Sequence, residues 1–220
     1  MKILAFDTSM SACSVALVSD NKLIGKLERM NIHGHSEILI PLIEKLLSNA
    51  KTHYSDLNLI AVTIGPGSFT GIRVGLSVAK AINTSLGIKT TGIMTTELLA
   101  HEALTKRISS NLPIASIIDA RRAEVYIQIF DNKAKPLSKA TCLLPQNATK
   151  LLGKEKWCLI GDGTQKVLQY VEKTHNIIDT ETPDVAILAQ IALDKTLTKQ
   201  QLEPAYIRAP DVSQSKKAKS

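Results

Sequence analysis

The stretch MKILAFDTSMSACSVAL (1–17) decides the fold. Its apolar run at residues 3–6 predicts a strand that ends in Asp7, and the apolar segment at 13–18 predicts a second strand after a short turn. A third strand is predicted at 23–27, after a turn of polar residues. The chain therefore opens as an antiparallel hairpin whose first strand ends in a carboxylate.

The second half of the chain repeats this opening. The strand predicted at 114–118 also ends in an aspartate, Asp119, and both hairpin turns read Asp-Asn-Lys, at 20–22 and at 131–133. The segment CLIGDG (158–163) leads into a helix, as IGPG (64–67) does in the first half. These ordered correspondences argue for a duplicated α/β unit.

The duplication predicts two α/β lobes. We expect a first lobe at 1–108 that carries partner-binding helices, a second lobe at 109–208, and a basic tail at 209–220 that is disordered. The first lobe is expected to hold helices at 36–50, from 69 to a left-handed cap at Gly87, and at 96–105.

Composition excludes several classes of protein. The chain has 220 residues, of which 44% are hydrophobic, so it can bury a core without disulfides or metals. No stretch approaches the roughly 20 apolar residues of a membrane span, and Asp7 interrupts any signal-peptide core, which predicts a cytoplasmic protein without membrane contact. The three cysteines lack ligand spacing and are interpreted as packing residues.

The formal net charge of +7 invites a nucleic-acid interpretation. The excess is spread along the chain, with one cluster at Lys216, Lys217 and Lys219, and aromatic residues make up only 4%, too few for a base-stacking platform. We expect contact with tRNA to be indirect, and a tRNA-binding module that works through the tail stays an alternative.

Several motifs resemble one known family. MKILAFDTS followed by SVAL, GPGSFTGIRVGLSVAKA (65–81) and EPAYIR (203–208) together resemble the TsaB (YeaZ) family. The two-lobed plan is similar to the actin-like ATPase and sugar-kinase (RNase H-like) superfamily. This resemblance implies two tandem lobes of mixed sheets flanked by helices.

The resemblance also implies a function. It predicts a non-catalytic subunit that binds a TsaD-type transferase and supports formation of N6-threonylcarbamoyladenosine at position 37 of tRNAs. A TsaE-type ATPase would join the larger complex, a TsaC-type synthase would supply the adenylate, and the protein alone would form a homodimer. It implies no cofactor of its own and leaves open a nucleotide, ATP or ADP, at the subunit interface.

Asp7, Thr8 and Ser9 occupy the position of a phosphate-facing hairpin in that superfamily, which makes them weak candidates for a vestigial cofactor site. The GPGSFTG segment (65–71) precedes a helix but lacks the lysine of a P-loop. A purely structural role for both turns stays open. So does the alternative of a stand-alone nucleotide-binding phosphotransferase.

No catalytic residue and no metal ligand are predicted. TsaD carries an H-x-x-x-H metal motif downstream of a similar glycine segment, and the two positions align here with Thr95 and Leu99. His33 and His35 are close in sequence, but no further ligand lies at suitable spacing.

Two helices carry more apolar residues than packing on one sheet requires. The resemblance implies that such helices bind TsaD or a second copy. The predicted partner-binding residues are His35, Ile38, Leu39, Leu42, Leu46, Arg73, Val74, Ser77, Val78 and Ala81.

Overall fold

The computed structural model describes residues 1–30, 34–106, 111–171, 175–194 and 202–208. The predicted tail at 209–220 lies outside the described residues, as does most of the predicted linker, so the boundary between the lobes stays a prediction. The first half contains β1 Lys2–Asp7, β2 Ala12–Ser19, β3 Lys22–Met30, α1 His35–Asn49, β4 Leu59–Gly65, α2 Phe69–Leu86, β5 Lys89–Met94 and α3 Thr95–Lys106. The second half contains β6 Ile114–Asp119, β7 Val125–Phe130, β8 Thr141–Leu143, α4 Pro145–Leu152, β9 Cys158–Ile160, α5 Thr164–Leu168, β10 Asn176–Ile178 and α6 Val185–Asp194.

The two sheets have the same topology. The strand order is β3-β2-β1-β4-β5 in the first sheet and β8-β7-β6-β9-β10 in the second. In each sheet the first three strands form an antiparallel meander, and the last two run parallel to the first strand. The predicted fold class, two duplicated lobes of mixed sheets flanked by helices, is confirmed.

The helices and sheets stack in five layers. Successive side chains of β1 point to opposite faces, so Leu4 and Phe6 pack with α1 and α2, while Ile3 and Ala5 pack with α6. The helix α3 covers the inner face of the second sheet through residues such as Leu99. The helices α4 and α5 cover its outer face. The central layer therefore consists of α3 and α6.

The helix α6 lies in the second half of the sequence but packs on the first sheet. Its start is fixed by Asp184, whose carboxylate accepts a hydrogen bond from the backbone N–H of Ala186 at 3.1 Å. The backbone N–H of Asp184 in turn donates to the buried carboxylate of Glu102 at 2.8 Å. Because Glu102 belongs to α3, this hydrogen bond connects the residue that precedes α6 to the neighbouring helix of the central layer.

Local signals explain the long helix α2. The Ser68 hydroxyl accepts a hydrogen bond from the backbone N–H of Gly71 at 3.1 Å and so caps the start of the helix. Gly87 ends the helix in the left-handed conformation, with φ of 69°, which confirms the predicted cap. In the described ranges, no helix combines the length and the apolar character needed to cross a membrane.

Candidate functional site

The Asp7-Thr8-Ser9 turn is buried, with each residue at most 1% exposed. The Asp7 carboxylate accepts hydrogen bonds from the hydroxyls of Ser9 and Thr63 and from the backbone N–H of Ser9. The Thr8 hydroxyl donates to the carbonyl oxygen of Gly71 at 2.7 Å. Oδ1 of Asp7 and the hydroxyl groups of Thr8 and Ser9 are therefore engaged by the protein itself.

The GPGSFTG segment lies directly on that turn. A Cβ at Gly67 would lie 2.1 Å from the carbonyl oxygen of Ser9, and one at Gly71 would lie 1.9 Å from that of Thr8. The backbone N–H of Ser68 also donates to the Ser9 carbonyl at 2.7 Å. The glycines allow the backbone of the GPGSFTG segment to pack directly against the backbone of the Asp7-Thr8-Ser9 turn. These contacts support a structural role for both turns.

A cavity of about 20 Å³ lies between this turn and the second lobe. It is lined by Ser9, Met10, Gly67, Ser68, Ile118, Asp119, Arg121 and Asp162. That volume holds about one water molecule, whereas small-molecule sites typically measure about 300–1,000 Å³. This cavity is therefore too small for a nucleotide.

A polar cluster closes the cleft from the second lobe. The guanidinium of Arg121 donates to Ser11 of the first lobe at 2.9 Å and to the carboxylate of Asp162 at 2.8 Å. Asp162 also accepts the backbone N–H of Asp119 at 2.9 Å, and Lys166 pairs with the Asp119 carboxylate at 2.6 Å. Burial raises the pKa of Asp162. From the sequence, Asp119 was named only as the end of a strand, and Arg121, Asp162 and Lys166 were not identified as site residues, because Asp162 and Lys166 are far from Asp119 in the chain.

The positions aligned with the metal motif of TsaD lie at the start of α3. Thr95 and Leu99 are both fully buried, and neither side chain is a ligand that transition metals prefer. Across the described ranges, no group of three or more His, Cys, Asp or Glu side chains is placed to hold a metal ion.

Burial and the neighbouring Asp7 carboxylate raise the pKa of the Cys13 thiol to about 12, as expected for a cysteine in the core.

Part of the predicted partner-binding surface is corrected by the structure. Leu39, Leu42 and Leu46 are 0%, 7% and 2% exposed, because they pack in the first lobe's own core against β1 and β2. They lie on the inward side of α1 and do not reach the surface. The sequence pattern does not separate them from outward residues such as Ile40, because large apolar side chains occur on both sides of α1.

The remaining predicted residues have other positions. Ile38, Val74 and Val78 are half-buried at the edge of the core, and Arg73, Ser77 and Ala81 are exposed. The side chain of His35 lies outside the described residues. Whether these residues bind a partner stays a prediction.

An apolar groove runs between α1 and α2. It measures about 320 Å³ and is lined by Ile40, Tyr54, Ser77, Val78, Ala81 and Ile82. Ile40 is 46% exposed, although it is a large apolar side chain. We call this feature the α1/α2 groove. Tyr54 was missed by sequence reasoning because it lies outside both helices.

The segment 202–208, here called the strap, returns to the first lobe. The backbone N–H of Ala205 donates to the carbonyl oxygen of Ile64 at 2.8 Å, and Leu202 packs against the core beneath α1 and α2. Arg208 forms an ion pair of 3.0 Å with Glu124 of the second lobe. The strap therefore contacts both lobes, a question that the sequence left open.

Two stacked lobes of identical strand order, with a cleft between them, define a protein of the actin-like ATPase and sugar-kinase fold class. A structure of the Clostridium difficile activator of 2-hydroxyisocaproyl-CoA dehydratase with bound ADPNP superimposes with a TM-score of 0.54 and 11% identity, over 91% of this chain and 99% of that one. At that identity the likeness concerns the fold alone.

Comparison with known proteins then defines the family. A family model described as "TsaD: tRNA N6-adenosine threonylcarbamoyltransferase" matches residues 29–213. The tRNA threonylcarbamoyladenosine biosynthesis protein TsaB of Buchnera aphidicola subsp. Schizaphis graminum is 36% identical over 75% of this chain and 80% of its own length. The structure of YeaZ from Pseudomonas aeruginosa has a TM-score of 0.81 and 25% identity, and covers 93% of this chain and 99% of that one. The chain belongs to the TsaB (YeaZ) family, which confirms the resemblance stated from the motifs.

Proposed function

We propose that this chain is a non-catalytic partner subunit in tRNA threonylcarbamoyladenosine biosynthesis, a cytoplasmic protein that binds and supports a TsaD-type transferase. The observation that carries the proposal is the α1/α2 groove. It leaves Ile40 exposed beside Val78, Ala81 and Ile82 on two adjoining helices. An apolar surface of this kind is typical of a protein–protein interaction site.

The chemistry of the cleft supports a non-catalytic role. The positions of the metal motif hold Thr95 and Leu99, and the turn at Asp7 is engaged by hydrogen bonds within the first lobe. A stand-alone phosphotransferase would need room for a nucleotide, and the cavity beside the Asp7 turn, at about 20 Å³, is too small for one. No observation favours that alternative.

The nature of the groove favours a protein related to this chain as its occupant. A family model of the transferase matches residues 29–213, which include both helices of the groove. A related fold can therefore present an equivalent helix pair, and faces of equivalent shape pack in two-fold or pseudo-two-fold arrangements. The same geometry allows a homodimer when the partner is absent.

Three further parts of the proposal concern the larger system. A TsaE-type ATPase joins the complex, a TsaC-type synthase supplies the threonylcarbamoyl adenylate, and tRNA is contacted through the transferase. Any ATP or ADP binds at the subunit interface rather than in this chain's cleft. Calorimetry with MgATP checks the last point, since we expect heat of binding only when both subunits are present.

The central test is association with the TsaD counterpart of the same organism, measured by gel filtration and by isothermal titration calorimetry at micromolar concentration. The variant Ala81→Asp places a charge in the groove and should raise the dissociation constant about a hundredfold, because an unpaired buried charge costs several kcal/mol. Ala123→Asp is the matched control, because Ala123 is an exposed alanine of the second lobe. Absence of a heterodimer for the unmodified chain, or equal affinity for both variants, would overturn the proposal.

A further inference from the structure

An exposed cluster of aromatic and cationic side chains lies at the start of α2. Phe69 is 44% exposed and Tyr206, from the strap, is 49% exposed, and their ring centroids are 5.7 Å apart. The guanidinium carbon of Arg73 lies 3.7 Å from the centroid of the Phe69 ring. We call these three residues the guanidinium cluster. Arginine and aromatic residues are the types that contribute most to binding energy at protein interfaces.

The guanidinium of Arg73 is held in place before any partner arrives. Its Nε donates to the hydroxyl oxygen of Tyr206 at 3.1 Å, and one face of the group stacks on Phe69. Within the part of the chain that the structure describes, Arg73 forms no ion pair with a carboxylate. An arginine that is fixed on one face and at Nε keeps its terminal nitrogens for another acceptor. The planar group matches a carboxylate in two-point geometry.

The strap explains why Tyr206 stays beside Arg73. On one side of Tyr206 the backbone N–H of Ala205 is bonded to Ile64 at the end of β4, and on the other side Arg208 is paired with Glu124. These two attachments restrain the ring from both ends of a short segment. The position of the tyrosine hydroxyl is therefore set by the fold.

The cluster continues the α1/α2 groove. Ser77, which lines the groove, is one helical turn beyond Arg73 on the same side of α2, and Ala81 follows one turn later. At Tyr54, which also lines the groove, burial and then the negative charge of Glu44 raise the pKa of the phenol. The groove is mainly apolar, has a cation at one end and has a carboxylate near Tyr54. A protein partner matches such a surface better than a polyanion does.

We propose that Arg73, held by Phe69 and Tyr206, is the polar anchor of the docking face and receives a carboxylate of the TsaD-type partner. This inference rests on the proposed function and adds the chemistry of the group that the partner presents. Tyr206 acts as a positioning residue, since it contacts Arg73 and orients it. The apolar groove supplies buried area, and the anchor fixes the register of the partner along α2.

The test measures the dissociation constant of the complex by calorimetry, at several salt concentrations, for the full chain and its variants. Arg73→Gln should raise the dissociation constant about tenfold or more and make it less dependent on salt concentration. Arg73→Lys should recover little of the lost affinity, because an ammonium group cannot bind a carboxylate in two-point geometry. Tyr206→Phe keeps the ring but loses the hydroxyl and should weaken binding a few-fold. The matched controls are Lys80→Gln, an exposed cation on α2, and Tyr170→Phe, an exposed tyrosine of the second lobe.

Each outcome separates this inference from the proposed function. If the unmodified chain binds the partner and Arg73→Gln binds as tightly as Lys80→Gln, the anchor is wrong and the proposed function stands. If the unmodified chain does not bind, both are wrong. Weakening by Arg73→Gln that occurs only with added ATP or ADP would overturn the carboxylate in favour of a phosphate. Rescue of Arg73→Glu by a carboxylate-to-lysine change in the partner would identify the acidic group.

Discussion

The two lobes have the same strand order but differ in the helices that cover their sheets. In the first lobe, α1 and α2 have 15 and 18 residues, whereas the corresponding helices of the second lobe, α4 and α5, have 8 and 5. The long pair leaves a groove on the surface, while the short pair packs with Trp157 over the second sheet. Duplication preserved the sheets, and the divergence lies in the helices that cover them.

The turns after the first strand of each lobe differ in the same way. The turn after β1 is buried beneath the GPGSFTG segment, whereas the turn after β6 carries the exposed residues Arg121 and Arg122. In the first lobe the carboxylate of Asp7 accepts hydroxyl hydrogen bonds, and in the second Asp119 pairs with Lys166. The same turn is thus stabilised differently in the two lobes, by close packing in the first and by an ion pair in the second.

The buried turn should be the most sensitive site in the molecule. Gly71→Ala would force a Cβ to within 1.9 Å of the Thr8 carbonyl oxygen, so we expect the free energy of unfolding to fall by about 3 kcal/mol or more. The control is Gly87→Ala, where nothing lies within 4 Å and only the left-handed conformation opposes a side chain, at a cost of about 1 kcal/mol. Urea unfolding measures both values. Equal losses would show that close approach of the two backbones does not constrain the turn.

The two sides of α1 should respond differently to shortening. Leu46 is 2% exposed in the core and Ile40 is 46% exposed in the groove. We expect Leu46→Ala to lower the free energy of unfolding by about 3 kcal/mol and Ile40→Ala by about 0.5 kcal/mol or less. Thermal or urea unfolding of the unbound chain checks this difference. If Ile40→Ala destabilises as strongly as Leu46→Ala, the groove is part of the core and not a surface.

The smallest effect is expected at the polar cluster of the second lobe. Burial raises the pKa of Asp162 in the folded state, so the folded protein holds this proton to higher pH than the unfolded chain does. The contribution of Asp162 to stability is therefore largest at acidic pH and declines as pH rises from the unfolded pKa through the folded one. Asp162→Asn removes this titration and retains an oxygen that can accept the backbone N–H of Asp119.

The measurement is the difference in unfolding free energy between the two proteins as a function of pH. Relative to Asp162→Asn, the unmodified chain should lose stability as pH rises above about 4, and the difference should become constant once the pH exceeds the raised pKa of the folded state. A difference that grows in favour of the unmodified chain over the same range would mean that Arg121 outweighs burial.

Much of the fold could be predicted because its signals are local. The apolar strands that end in Asp7 and Asp119 and the cap at Gly87 each follow from a few neighbouring residues. The return of α6 to the first sheet could not be predicted, because it depends on a contact between residues far apart in sequence. Arg73 and Ala81 were predicted to bind a partner from the helix pattern together with the family resemblance, and this stays a prediction. The contact of Arg73 with Tyr206 could not be predicted, because it joins positions 133 residues apart.

The corrected residues on α1 illustrate a second limit. An apolar side chain on a helix has the same signature whether it covers its own sheet or a neighbouring molecule. Leu39 and Ile40 are adjacent in the chain, yet one is fully buried and the other is 46% exposed. The choice between them depends on where the sheet lies, which the helix sequence alone does not encode.

The position of α6 limits where the chain can be truncated. A fragment that stops at residue 108 would retain both docking helices but would lose the cover over Ile3, Ala5 and Val18 on the opposite side of the sheet. That bare apolar surface would favour aggregation. We therefore expect the amino-terminal half alone to aggregate, and truncation or fusion for binding experiments should preserve the chain through residue 194.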